Sequence, residues 1–178
     1  MADWDETVQI KRHHLDELRF YGYAGICITR FQQIDDHLQV PFASLLTISP
    51  EQAAIVFASI RTVKRRCEVI ARLLQASQSQ RAAHWTALTR RILRAENNRN
   101  SIAHGSPVFN GGCATIKFDQ ENDTVEVIAQ SDPFFCLEKQ GFNDWTTERL
   151  LAESRESDAL LSDLHAFCRE ISTRNLSA

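Results

Sequence analysis

Residues 95–106 read AENNRNSIAHGS, and Glu96, Arg99, Asn100 and His104 within them are side chains that could do chemistry together. Histidine titrates near neutrality, and the negative end of a helix favours its protonated form, so His104 suits a general acid or base. Arg99 offers a permanent charge and a planar fork of donors that matches a phosphate or a pentavalent phosphorus. Asn100 both donates and accepts, and can orient an imidazole or a ribose hydroxyl. Metal-free phosphodiester transesterification needs a proton-transfer group and an anion stabiliser, and this stretch supplies both.

A helix turns by about 100° per residue. With Glu96 at zero, Asn100 and His104 follow at i+4 and i+8 as one column. Arg99 falls instead inside the apolar arc formed by Leu88, Ile92 and Ala95. An arginine there must snorkel, pair with Glu96 one turn earlier, or face a second molecule's surface. A plainer reading keeps Glu96 and Arg99 as an i, i+3 pair, with His104 complementing the helix dipole.

Competing chemistries lack their residues. His13, His14, His37, His84 and His165 show no metal-ligand spacing, so neither metal nor cofactor is expected. Ser101 and Ser106 lie near His104, but no G-x-S-x-G elbow accompanies them. Gly111-Gly112 is too short for a phosphate loop.

The elements that must position the site follow from periodicity. A first helix is expected from about Val8 to Leu38, with Leu15, Leu18, Gly22, Ile26, Ile34 and Leu38 at helical spacings and Pro41 ending it. Gly22 and Gly25 imply either close approach of a neighbour or a kink. SPEQ announces a second helix, with Ser49 as N-cap, Pro50 at the first position and Gln52 completing a capping box. It should run to about Ala76 and bury Phe57, Ile60, Cys67, Ile70 and Leu74. A third helix is expected from near Ser79 to Gly105, burying Trp85, Leu88, Ile92, Ala95 and Ile102, with Pro107 beyond the glycine. The period then shortens to two, and ATIKF and TVEVIA around DQEND predict a hairpin from about Cys113 to Ala129. A last helix should run from Thr146 or Thr147 to about Thr173, with Leu150, Leu151, Leu161, Leu164 and Ile171 inward. The expected fold is all-α: a single domain over residues 1–178, an antiparallel four- to five-helix bundle with a β-hairpin inserted before the last helix.

Charge is segregated along the chain. Its 178 residues carry a net charge of −3, yet residues 61–99 hold ten basic and two acidic side chains. Arg61, Arg65 and Arg72 recur at helical spacing with Glu68 between them, a mainly basic stripe. Such a stripe is either a solvated helix face balanced by acidic neighbours or a surface for a phosphodiester ligand. Cys27, Cys67, Cys113, Cys136 and Cys168 are odd in number and scattered, which suits reduced thiols packed as core filler in a cytoplasmic protein. An acidic N-terminus without an apolar stretch argues against a secretory signal, and no apolar run is long enough for a membrane span.

RNSIAH, Arg99 to His104, resembles the R-x4-6-H motif of the HEPN superfamily (higher eukaryotes and prokaryotes nucleotide-binding domains). Asn100 fits the polar residue that commonly follows the arginine, and ENNRNSIAHG looks like the form in many small bacterial members. The resemblance implies a helical bundle with the motif near the end of one long helix. It implies a homodimer that brings two motifs into one cleft, and often metal-independent endoribonuclease activity. Arg99 would then hold the scissile phosphate, His104 would be the acid/base, Asn100 would position one of them and Glu96 would orient Arg99. Arg61, Arg65 and Arg72 would present the RNA-binding stripe. A toxin or phage-defence role, with an antitoxin as protein partner, is the expected setting. The alternative is a non-catalytic module that uses the same cleft to bind a nucleotide, RNA or a partner protein.

Overall fold

The computed structural model describes residues 3–77, 79–110, 114–119, 124–130, 134–139 and 142–172. Cys113, Gly111-Gly112, the turn at 120–123 and Thr173, all part of the sequence expectations, lie outside these residues. The chain forms six helices and five strands in the order α1 (Asp3–His37), α2 (Gln39–Leu46), α3 (Pro50–Ser59), α4 (Val63–Ala76), α5 (Ala82–Ala103), β1 (Ser106–Asn110), β2 (Ala114–Asp119), β3 (Thr124–Gln130), β4 (Phe134–Lys139), β5 (Phe142–Thr146) and α6 (Thr147–Ser172). The expected helical bundle is present, with α3 and α4 as its second helix broken in two, and β2 and β3 form the expected antiparallel hairpin before the last helix.

Two compact units divide the chain: residues 1–25 with 104–151, and residues 26–103 with 152–178. The second unit holds one apolar core, built from Phe31, Ile34, Leu38, Phe42, Phe57, Cys67, Ile70, Leu74, Trp85, Leu88, Ile92, Leu160, Leu164 and Phe167 among others. Trp85 is 1% exposed, and its indole N–H donates to the Cys67 carbonyl at 3.1 Å, so the largest core side chain is buried with its polar atom satisfied. The first unit contains the β2–β3 hairpin and a separate antiparallel sheet in the order β1-β4-β5. Cys136, Leu137 and Trp145 are its buried strand residues. That second sheet has no counterpart among the sequence expectations, because its strands are short and carry Pro, Asn and Asp that blur the two-residue period.

Several helix ends follow from single residues. The Ser49 hydroxyl accepts from the Gln52 backbone N–H at 3.3 Å while the Gln52 side chain accepts from Ser49 N–H at 3.0 Å, closing the expected box. The helix that begins there stops at Ser59, since Ile60 is extended and Thr62 caps a new helix by accepting from Arg65 N–H. The expected continuous second helix is therefore corrected to two, and Arg61 belongs to the link between them rather than to a helical stripe. The first helix ends at His37, one residue before the expected Leu38, and Pro41 lacks the N–H that would continue the ladder to the His37 carbonyl. That proline sits in the first turn of α2, where backbone N–H groups have no intrahelical partner and proline costs nothing.

The stripe expected on the first helix holds at Ile34 and Leu38, which are buried, and is corrected before them. Leu15, Leu18 and Ile26 are exposed, whereas Phe20, Cys27, Phe31, Ile34 and Leu38 are buried. Both sets fit a helical period, and the set with two phenylalanines removes more apolar area from water.

Arg66 repairs the break between α3 and α4. Its Nε donates to the Ile60 carbonyl at 3.0 Å, one terminal nitrogen to the Phe57 carbonyl at 3.4 Å, and the other to both oxygens of Asp35 at 2.7 Å. Its charge also lies 5.5 Å from the Phe57 ring centroid. The two charged side chains are only 19% and 17% exposed, so each depends on the other for its solvation.

Arg66→Met is expected to lower unfolding stability by about 2–3 kcal/mol in urea denaturation, because it orphans Asp35 and the Ile60 carbonyl, whereas the Phe57 carbonyl still accepts from the Ile60 N–H. Gly22 and Gly25 show the opposite sensitivity. A Cβ at either would meet nothing within 4 Å, and both lie inside α1, so close approach of a neighbour does not explain them. Gly25→Ala should raise the urea midpoint, by about 0.5–1 kcal/mol in free energy, since alanine loses less backbone entropy in a helix.

Candidate functional site

The expected buried arc of α5 is the observed one: Trp85, Leu88, Ile92, Ala95 and Ile102 all face inward. This arc fixes the rotation of the helix and hence the bearing of every polar residue near its end. Glu96, Asn98, Arg99 and Asn100 are half-buried, and Asn97 is exposed. The helix stops at Ala103, so His104 is the first residue beyond it and is exposed. Helical spacing therefore orders Glu96, Arg99 and Asn100 but ends before His104. The boundary between the two compact units falls at the same place, between Ala103 and His104.

Arg99 does occupy the apolar side of the helix, and its own chain covers it. The guanidinium carbon lies 5.1 Å from the centroid of the Phe31 ring, a cation–π contact on a side chain that is 1% exposed. None of the three expected fates describes this seating: the facing surface is an aromatic ring of the same chain, from α1, and not a second molecule. Among the described residues, no hydrogen bond or ion pair engages the Arg99 N–H donors. The expected i, i+3 ion pair with Glu96 does not form within 4 Å. Glu96 instead acts on Arg99 through its field.

The Glu96 carboxyl is held above the usual carboxylate range. Burial is the main cause, Asp35 adds repulsion, and the Arg99 charge opposes both. Asp35 lies one turn beyond Phe31 on α1, as Glu96 lies one turn before Arg99 on α5. The half-buried polar set thus comprises Arg66, Asp35, Glu96 and Arg99, two carboxylates and two guanidinium groups.

The three asparagines separate by role. Asn98, which the sequence alone did not distinguish, donates to a Glu153 oxygen at 2.8 Å and ties α5 to α6. Arg91, two turns earlier, reaches Asp163 at 2.5 Å and Glu156 at 3.4 Å on the same helix. Asn100 makes no hydrogen bond among the described residues, so its amide remains open to a ligand. The signal for Asn98 and Arg91 was a wheel position between the core arc and solvent, facing an acidic helix.

The basic segment is neutralised in part. Arg65 pairs with Glu68 at 2.8 Å, Arg66 with Asp35, Arg81 with Glu170 and Arg91 with the acids of α6. Arg61 and Arg72 are exposed and form no ion pair among the described residues, and Arg65 is exposed beside its partner. Cys27 and Cys67 are buried, and burial pushes both thiols up to about 12, which matches inert core filling. Among the described residues, no group of three or more His, Cys, Asp or Glu is placed to hold a metal ion, and no single helix is long and apolar enough to cross a membrane.

The raised Glu96 pKa has a stability consequence whose sign is fixed. Between the ordinary carboxylate pKa and the raised one, the folded chain binds more protons than the unfolded chain, so stability falls as pH rises through that window. Glu96→Gln should therefore be more heat-stable than the natural chain at neutral pH. The difference in melting temperature should close below about pH 4, where the carboxyl is neutral in both states.

No family model matches this chain, and the searches of curated proteins and of solved structures return no match.

Proposed function

We propose that the protein is a metal-independent endoribonuclease of the HEPN type that acts as a cytoplasmic homodimer. The observation that carries this reading is the seating of Arg99. Its charge lies over an aromatic ring, and among the described residues no carboxylate takes its donors, so they remain available to an anion five residues before an exposed histidine. Arg99 holds the scissile phosphate, Asn100 orients the reacting groups and His104 transfers the proton. The ribose 2′-oxygen attacks phosphorus, the bond to the 5′-oxygen breaks, the 2′-hydroxyl proton passes to a base, and an acid protonates the leaving oxygen. The products are a 2′,3′-cyclic phosphate and a 5′-hydroxyl. Arg61, Arg65 and Arg72 attract the RNA backbone, which makes binding weaken with salt. A toxin or phage-defence system, with an antitoxin as partner, is the setting such an activity suits.

A second reading is a non-catalytic RNA- or nucleotide-binding or protein-interaction module. The Asn98–Glu153 hydrogen bond favours it, since it gives part of the polar helix end a purpose within the fold.

The readings separate in one assay. The endoribonuclease is expected to cleave single-stranded RNA in EDTA, and Arg99→Ala or His104→Ala in folded protein should each lower the rate by about 100-fold or more. Intact RNA beside the natural chain, with retained binding, supports the module; full activity in both variants overturns the assigned roles.

A further inference from the structure

We infer that Phe31 is a positioning residue for a phosphate site at Arg99, a role that rests on the reading of Arg99 as the phosphate-binding group. An arginine inside an apolar arc ordinarily has two outcomes. It snorkels to water, which leaves the guanidinium mobile, or it pairs with a carboxylate, which occupies its donors. Here neither occurs. The guanidinium carbon lies 5.1 Å from the centre of a ring that is itself 1% exposed and packed into the core through Ile34 and Leu38. Such a ring is held in place by its packing, and the attraction between a cation and its π face uses no N–H donor.

The neighbouring carboxylates are kept off Arg99 by their own arrangements. Asp35, one turn from Phe31, has both oxygens on Arg66 at 2.7 Å. Glu96, one turn from Arg99, is partly buried with its carboxyl shifted toward the neutral form and makes no ion pair with the guanidinium. The Arg66 clamp and the Phe31 ring together hold a guanidinium in place while leaving its donors unspent, which is the preorganisation an anion site requires. The ligand class that fits is a phosphate group, as a phosphodiester of RNA or a free polyphosphate.

The role predicts a particular pattern of substitution. Tyrosine keeps the ring and should keep the site, whereas leucine keeps apolar volume and removes the π face. In the full-length protein labelled with nitrogen-15, the Arg99 Nε–Hε resonance is identified by its loss in Arg99→Lys and followed during titration with inorganic pyrophosphate. The natural chain and Phe31→Tyr should titrate within about twofold of each other, while Phe31→Leu should need roughly tenfold more pyrophosphate for the same shift. If Phe31→Leu does not fold, Phe31→Met makes the same comparison. Equal titration in the ring-less variant, or no response of Arg99 in the natural chain, overturns the proposal. RNA cleavage is measured in parallel: uncleaved RNA removes the ribonuclease reading alone, because the pyrophosphate titration decides the role of Phe31 by itself.

Discussion

The bidentate pair between Arg66 and Asp35 is the contact on which the helical unit depends. A helix that stops at Ser59 and restarts at Val63 leaves carbonyl oxygens at its first end without partners, and in a partly buried place that is costly. Arg66 donates to the Ile60 carbonyl from the new helix, reaches the Phe57 carbonyl beside its bond from the Ile60 N–H, and fixes one terminal nitrogen on Asp35 of α1. One side chain thereby sets the relation of α1, α3 and α4. Its cost is the desolvation of two charges, offset because every acceptor it faces is used.

The same pair shapes the candidate site at one remove. Asp35 carries its charge toward Glu96 but spends its hydrogen-bonding capacity on Arg66. Glu96 is left half-buried, shifted toward its neutral form and unpaired with Arg99. Arg99 then meets Phe31 rather than a carboxylate. A set of four charged residues shared among α1, α4 and α5 thus includes a guanidinium whose donors are open.

Much of the local structure was legible in sequence. Ser49, Pro50 and Gln52 specify a helix start through bonds within four residues, and the inward arc of α5 follows from five apolar positions at helical spacing. The hairpin of β2 and β3 follows from alternation. Elsewhere two solutions satisfied the same pattern. On α1 a stripe of Leu15, Leu18 and Ile26 and a stripe containing Phe20 and Phe31 both fit the period, and only the packing of neighbours chose between them. The break at Ile60 was hidden because apolar periodicity continues across it, while Thr62 and Arg66 act through contacts in space. Arg66, Arg81 and Arg91 of the basic segment are answered by acids distant in sequence, which no local count can show.

Sequence by itself determined which chemical groups are concentrated at the end of α5 and which face of that helix is buried, because residue identity and helical pitch are local properties. It placed Arg99 on the apolar side and left open what would cover it. Tertiary structure decided that a ring from α1 covers it, that Asn98 serves the fold and that Glu96 keeps apart from its neighbour. Those outcomes depend on which surfaces meet, and the meeting is set by a core drawn from residues more than a hundred positions apart.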